Sequence, residues 1–157
     1  MGRNGDHEPE LGPELAPVQI NLARPKTPVT ARLVESRSCM NGRSASFVRH
    51  WSIDLTGSGL EGTFRAGQAF GVLAPGLNEK GKPHNVRLYS IACPTWGEDG
   101  EGRIISTTVK RVLDERKPQR NTDDKNDHSL FVGVCSNYMC DIKEGAEVLI
   151  TGPAGKR

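Results

Sequence analysis

Three short segments carry the side chains best suited to chemistry. The first is Arg87-Leu88-Tyr89-Ser90. On a strand, alternate residues share a face, so Arg87 and Tyr89 point one way and Leu88 and Ser90 the other. A guanidinium offers planar, paired donors that suit a phosphate. A phenol ring beside it suits stacking on a flat heterocycle. Ser90 reaches a ring nitrogen if the strand bulges there. Taken alone, these four residues read first as an ordinary exposed strand. The second segment is Gly133-Val134-Cys135-Ser136-Asn137-Tyr138. Gly followed by small and polar residues that open a helix makes an anion site from free N–H groups and the helix dipole. Its plain alternative is a simple N-cap from Ser136 or Asn137. The third, Thr108-Val109-Lys110-Arg111, is a strand end with two cations, and by itself says only that the face is basic and solvated.

Composition excludes several other classes. The chain has 157 residues, the length of one domain. Lys plus Arg is 21 and Asp plus Glu is 19, a net charge of +2 that argues against a dedicated nucleic-acid binder. There is no GxxxxGK[ST], HExxH or GxSxG pattern. His7, His50, His84 and His128 are scattered without ligand spacing, and no metal site is expected. Cys39, Cys93, Cys135 and Cys140 form no CxxC pair and read as reduced thiols. The N-terminus has acids and no apolar h-region, and no apolar run approaches the roughly 20 residues of a membrane span.

The elements that must position these segments are short. Gly 18 and Pro 10 make the chain rich in turns. Residues 1–28 hold five prolines and no aromatic residue, and read as a flexible tail or an extended strap. Strands are expected over 30–37, 45–55, 68–74, 86–92, 103–113 and 147–151, from alternation and β-branched content. Asn41-Gly42 is a turn signal, residues 114–128 a polar excursion, and 135–142 a short helix. The expected fold is all-β: a six-stranded antiparallel barrel with one short helix over residues 29–157.

Together the segments resemble one family. KGKPHNVRLYSIAC at 80–93, Gly67-Gln68 with Phe70-Gly71, Thr108–Arg111, GVCSNYMCD at 133–141 and VLITGPAGK at 148–156 are similar, in order and spacing, to plant-type ferredoxin–NADP(+) reductases. RPKTPVTAR at 24–32 resembles the family's entry into its first strand. The likeness covers roughly residues 20–157. It implies a Greek-key barrel that binds FAD. Arg87 would hold the pyrophosphate, with Leu88 beside it. Tyr89 would stack on the isoalloxazine, and Ser90 would stand near flavin N5. Gly133, Val134, Cys135 and Ser136 would form the phosphate site. Thr108, Val109 and Lys110 would meet the adenosine side. Lys82 would help dock acidic ferredoxin, or flavodoxin in its place.

Two positions depart from the family. Thr108 stands where a Cys is usual, and Asp114 where a Tyr stacks on adenine. Either adenine is held differently, or the 114–128 excursion replaces that contact. The family continues past this span into an NADP-binding domain, so the chain reads as the flavin part of a larger oxidoreductase that exchanges electrons with NADP(H). Two alternatives are the flavin domain of an oxygenase reductase component, such as that of benzoyl-CoA oxygenase, and a non-catalytic docking barrel. A bacterial cytoplasm or a plastid stroma is the expected location.

Overall fold

The computed structural model describes residues 17–40, 47–115 and 130–155, with side chains omitted for 113–115 and 130–132. The Asn41-Gly42 turn, residues 1–16, most of the polar excursion and Lys156 lie outside the described residues.

Where β-branched and aromatic residues alternate with polar ones, the chain extends. Strands β1 (Val29–Ser38), β2 (Val48–Asp54), β3 (Ala69–Leu73), β4 (Arg87–Ser90), β5 (Ile104–Lys110) and β8 (Glu147–Ala154) form one sheet in the order β4-β3-β8-β1-β2-β5. Every pairing is antiparallel. The two edges meet. The Ala92 N–H donates to Ser106 O at 2.8 Å, and the Thr107 hydroxyl donates to Ser90 O at 2.7 Å. These bonds join the end of β4 to β5 and close the sheet into a six-stranded Greek-key barrel, as expected.

The inward residues of the alternation fill the barrel. Leu33, Trp51, Ile53, Leu55, Phe70, Val72, Ile150 and Val109 are almost fully buried. Strands β2 and β3 lie opposite one another in the ring, and the Trp51 and Phe70 rings stack across it at 6.5 Å. Phe64 meets Phe70 edge-on at 6.4 Å. Rings of this size leave no room for a ligand inside a six-stranded barrel, so any ligand must bind outside it.

Among the boundaries that differ from the sequence expectation, three change the reading. The strand expected to end at Leu113 stops at Lys110, and a separate pair follows, β6 (Leu113–Glu115) with β7 (Leu130–Val132). Between them, Val112 bonds to the helix α1 (Val134–Asp141) and its leading Gly133, not to a neighbouring strand. The last strand does not stop at Thr151, because Ala154 still pairs with Ala69. The N-terminal segment is extended against that strand. Ala23 and Gly152 exchange two backbone hydrogen bonds at 2.9 Å, Asn21 N–H donates to Pro153 O, and Ala23 is buried. Residues 21–23 therefore run as an extended strap along the last strand.

Gln68 ties these parts together. Its buried side-chain amide donates to Gln19 O at 3.0 Å and to Gly155 O at 2.9 Å, and accepts from the Arg65 N–H at 2.8 Å. Replacing it with Leu leaves those backbone groups without partners. Gln68→Leu is expected to lose about 2–3 kcal/mol in urea unfolding. A loss below about 0.5 kcal/mol would show that the amide does not hold the strap.

Candidate functional site

The barrel's outer wall and α1 enclose a cleft of about 750 Å³. It is lined on one side by Arg87, Leu88 and Tyr89 of β4 with Ala74 at the end of β3. On the other side lie Val112, Gly133, Val134, Cys135 and Ser136, and at one end Asn78, His84 and Asn85.

The α1 side is built around Gly133, the residue before the first turn, which has an extended backbone and no side-chain cap. Ser136 and Asn137 do not cap the helix, contrary to the sequence expectation. Both are used in holding the helix to Val112. The Ser136 hydroxyl accepts from the Val112 N–H at 3.1 Å, and the Asn137 amide donates to Val112 O at 3.0 Å and Gly133 O at 2.7 Å. Gly133 itself donates to Val112 O at 3.0 Å. A Cβ on Gly133 would stand 2.9 Å from the Val112 Cβ, so glycine is required by the close approach. Arg111 extends the tie to Asn137 Oδ1 at 2.8 Å and to the Asp141 carboxylate. Its guanidinium also lies 5.7 Å from the centre of the Phe47 ring.

The first intrahelical backbone bond of α1 runs from Asn137 N–H to Gly133 O. The N–H groups of Val134, Cys135 and Ser136 precede it and have no acceptor within the helix. They stand at the positive end of the helix dipole, on the cleft wall. Arg87 faces them from β4, is exposed, and among the described residues makes no ion pair. A guanidinium free of carboxylates opposite such a helix end is suited to an anion with several oxygens.

Beside this anion end stands an aromatic surface. Tyr89 is half-buried and lines the same cleft as Cys135. Burial, helped by the neighbouring Cys135 thiol, pushes the phenol well above its ordinary range. Burial also raises Cys135, against the opposing pull of Tyr89 and Arg87. Leu88 and Val134 are about half exposed and add apolar surface at the mouth.

The structure thus brings Arg87, Leu88, Tyr89, Gly133, Val134, Cys135 and Ser136 to one cleft. The remaining candidates lie outside its lining. Ser90 is exposed at the end of β4 and uses its carbonyl in the barrel closure. Thr108 and Lys110 are exposed on the outer face of β5. The Val109 side chain is 1% exposed and belongs to the core, so a ligand would meet its backbone. Lys82 is exposed on a loop braced by Asn78, whose side chain accepts from the Lys80 and Lys82 N–H groups. Sequence reading missed Asn78, His84, Asn85 and Val112. Pro83-His84-Asn85 directly precedes the Arg87 strand, which was the available signal for two of them. Nothing in the sequence marks Val112.

No family model matches the chain. It is 34% identical over 139 residues to the ferredoxin–NADP reductase of Synechocystis, covering 88% of this chain and 31% of the relative. It is 38% identical to the leaf-type chloroplastic isozyme of Nicotiana tabacum, covering 88% of this chain and 35% of the relative. Over this span the chain resembles the FAD-binding domain of plant-type ferredoxin–NADP(+) reductases. The solved ferredoxin–NADP(+) reductase of Plasmodium falciparum has the same fold over 87% of this chain and 41% of its own, at a TM-score of 0.59 and 22% identity. The chain spans about a third of the length of these two curated relatives.

The chain's two tyrosines, Tyr89 and Tyr138, are both held protonated beyond their ordinary range, chiefly by burial. The folded state therefore favours the neutral phenols. That stability is present in full below the unfolded value of about 10 and is lost as pH rises above it. An ultraviolet phenolate titration should show no tyrosine ionising below about pH 10 before the protein unfolds. Ionisation of either ring at its ordinary value would contradict the burial.

Proposed function

We propose that this chain is the FAD-binding part of an oxidoreductase that passes electrons between reduced ferredoxin, or flavodoxin, and NADP(H). The observation that carries the proposal is the cleft. A guanidinium that makes no ion pair among the described residues, a half-buried aromatic ring and three helix N–H groups with no acceptor in the helix surround a volume within the range of cofactor sites. These groups suit the two ends of a flavin nucleotide.

The pyrophosphate would be held by Arg87 and by the N–H groups of Val134, Cys135 and Ser136, with Gly133 allowing the close turn. Tyr89 would carry the ring system, and the apolar Leu88 and Val134 side chains would limit water at its edge. Ser90, next along the strand and exposed, would supply the hydroxyl at flavin N5. Thr108 and Lys110, with the Val109 backbone, would serve the adenosine side. When bound, the flavin supplies the coupling between one-electron and hydride transfer; the protein supplies orientation and electrostatics. Lys82, on its braced loop beside the cleft, would steer an acidic electron partner. Contacts to NADP(H) would fall largely in the portion of the relatives that this span does not match.

The test is to add FAD to the purified chain, desalt it and record the visible spectrum. Retained flavin bands are expected, and their absence would overturn an autonomous flavin site. Arg87→Ala should weaken FAD about ten- to a hundredfold while leaving riboflavin, which has no phosphate, nearly unchanged. Equal losses for both ligands would remove Arg87 from the phosphate end. Tyr89→Ser should weaken both.

A further inference from the structure

The outer face of β2 and β5 carries the loop over residues 94–103, and Glu98 of that loop reaches both strands. Its carboxylate accepts from the Ser106 hydroxyl at 2.5 Å, and the same oxygen lies 3.3 Å from His50 Nε2. His50 Nε2 also stands 3.2 Å from the Ser52 hydroxyl. On β2, Trp51 and Ile53 point into the core, so His50 and Ser52 face out, in register with Thr108 and Ser106 of β5. Ser52 and Ser106 are nevertheless buried beneath the loop.

These residue types are those of a hydrolytic triad, but the geometry is not. Glu98 and Ser52 meet the same ring nitrogen, so the imidazole cannot relay a proton between them, and Ser52 is closed to solvent. What the set holds is the place where the barrel closes. Ser106 gives its hydroxyl to Glu98 and its carbonyl to the Ala92 N–H. The next residue, Thr107, donates from the core side to Ser90 O at 2.7 Å. Ser90 thus leans on a short stretch of β5 whose outer side is clamped by Glu98.

We propose that Glu98 is a positioning residue for Ser90: gripped by Ser106 and His50, it holds the 94–103 loop onto β5 and so sets where the Ser90 hydroxyl stands at flavin N5. The proposal rests on the flavin reading given above.

The loop is built to deliver this side chain. The Glu98 N–H donates to Ile104 O at 2.8 Å, which runs its backbone beside β5, two residues from Ser106. The Asp99 carboxylate accepts from the N–H groups of Glu101, Arg103 and Ile104 at 3.3 Å and closes the turn that follows. Other ties secure the ends of the loop: Thr95 Oγ1 accepts from the Ala66 N–H, and Gly102 O from the Gly62 N–H. Glu98 secures its middle. A carboxylate only accepts, so the proton shared with the ring is the imidazole's own Nε2–H. Two donors from two strands therefore converge on one charged oxygen, and such bonds are stronger than the neutral backbone bonds of the barrel closure.

A double-mutant cycle tests this with two ligands, FAD and 5-deaza-FAD, in which a C–H replaces N5. Both are titrated by flavin fluorescence into the wild-type chain, Glu98→Ala, Ser90→Ala and the double variant. Ser90→Ala should weaken FAD roughly two- to tenfold, the range of one net hydrogen bond, and leave 5-deaza-FAD nearly unchanged. Glu98→Ala should show the same selective loss, and the double variant should bind FAD no more weakly than Ser90→Ala. Glu98→Gln, which keeps the accepting oxygen, should recover most of it. Unchanged FAD binding in Glu98→Ala, or an equal loss for both flavins, would overturn the proposal. A Ser90→Ala chain that binds FAD as the wild type does removes Ser90 from N5, and the proposal with it.

A second measurement needs no flavin. The Ala92 and Glu98 amides, which donate to β5, should exchange with solvent about tenfold faster or more in Glu98→Ala, and near the wild-type rate in Glu98→Gln. Unmoved exchange also overturns the proposal. If exchange quickens while the wild type fails to bind FAD, the clamp stands and the flavin reading is what has failed, taking the positioning role with it.

Discussion

The cleft depends on the corner where the end of β5 meets the start of α1. Val112 gives its N–H to Ser136 and its carbonyl to both Gly133 and Asn137, so the backbone leaves the sheet ladder and becomes the anchor of a helix. An eight-residue helix is too short to be stable alone, and this one gets its place from the barrel. Once it is anchored, the only N–H groups of its first turn without an acceptor in the helix are those on the cleft wall. The serine and asparagine that would ordinarily cap a helix are used to fix its position instead, which leaves the helix end open to a ligand.

The barrel supplies the opposing wall. Trp51 and Phe70 stack across the interior and fill it, so the space for a ligand has to lie outside. Closure of the sheet decides which outer surface that is. Ile91 still donates to Gln68 on the β3 side, while Ala92 donates to Ser106 on the β5 side. In that step the chain crosses from one edge partner to the other, and β4 ends. The Arg87–Tyr89 face is thereby held beside the helix. Gln68 stands behind it, and its single amide holds the strap and the exit of β8 at the start of β3. Gly71 meets Thr151 and Val86 too closely for any side chain, which keeps β3 tight against its neighbours at the same point.

Much of this was legible in the chain, for a definable reason. Phe47-Arg49-Trp51-Ile53-Leu55 alternates with period two, and Trp51, Ile53 and Leu55 are the fully buried side chains of that stretch. The six strands of the barrel were readable because a half-buried strand must alternate. The two ends of the site were readable as local chemistry, an Arg-x-Tyr pair and a glycine opening a helix. What failed were features decided by partners distant in sequence. The break after Lys110 comes from Val112 finding Ser136, 24 residues on. Ala23 becomes part of the core because Gly152 offers it two hydrogen bonds, and no local property of a proline-rich segment announces that.

By itself the sequence determined the strand pattern, the near-neutral charge and the residue types of the two subsites, because each is a property of neighbouring residues. Only the tertiary structure decided that those subsites share one cleft. Arg87 and Ser136 are brought together by a closed sheet and an anchored helix. Periodicity constrains which face a side chain takes; which faces meet depends on strand order and closure, and no local pattern encodes those.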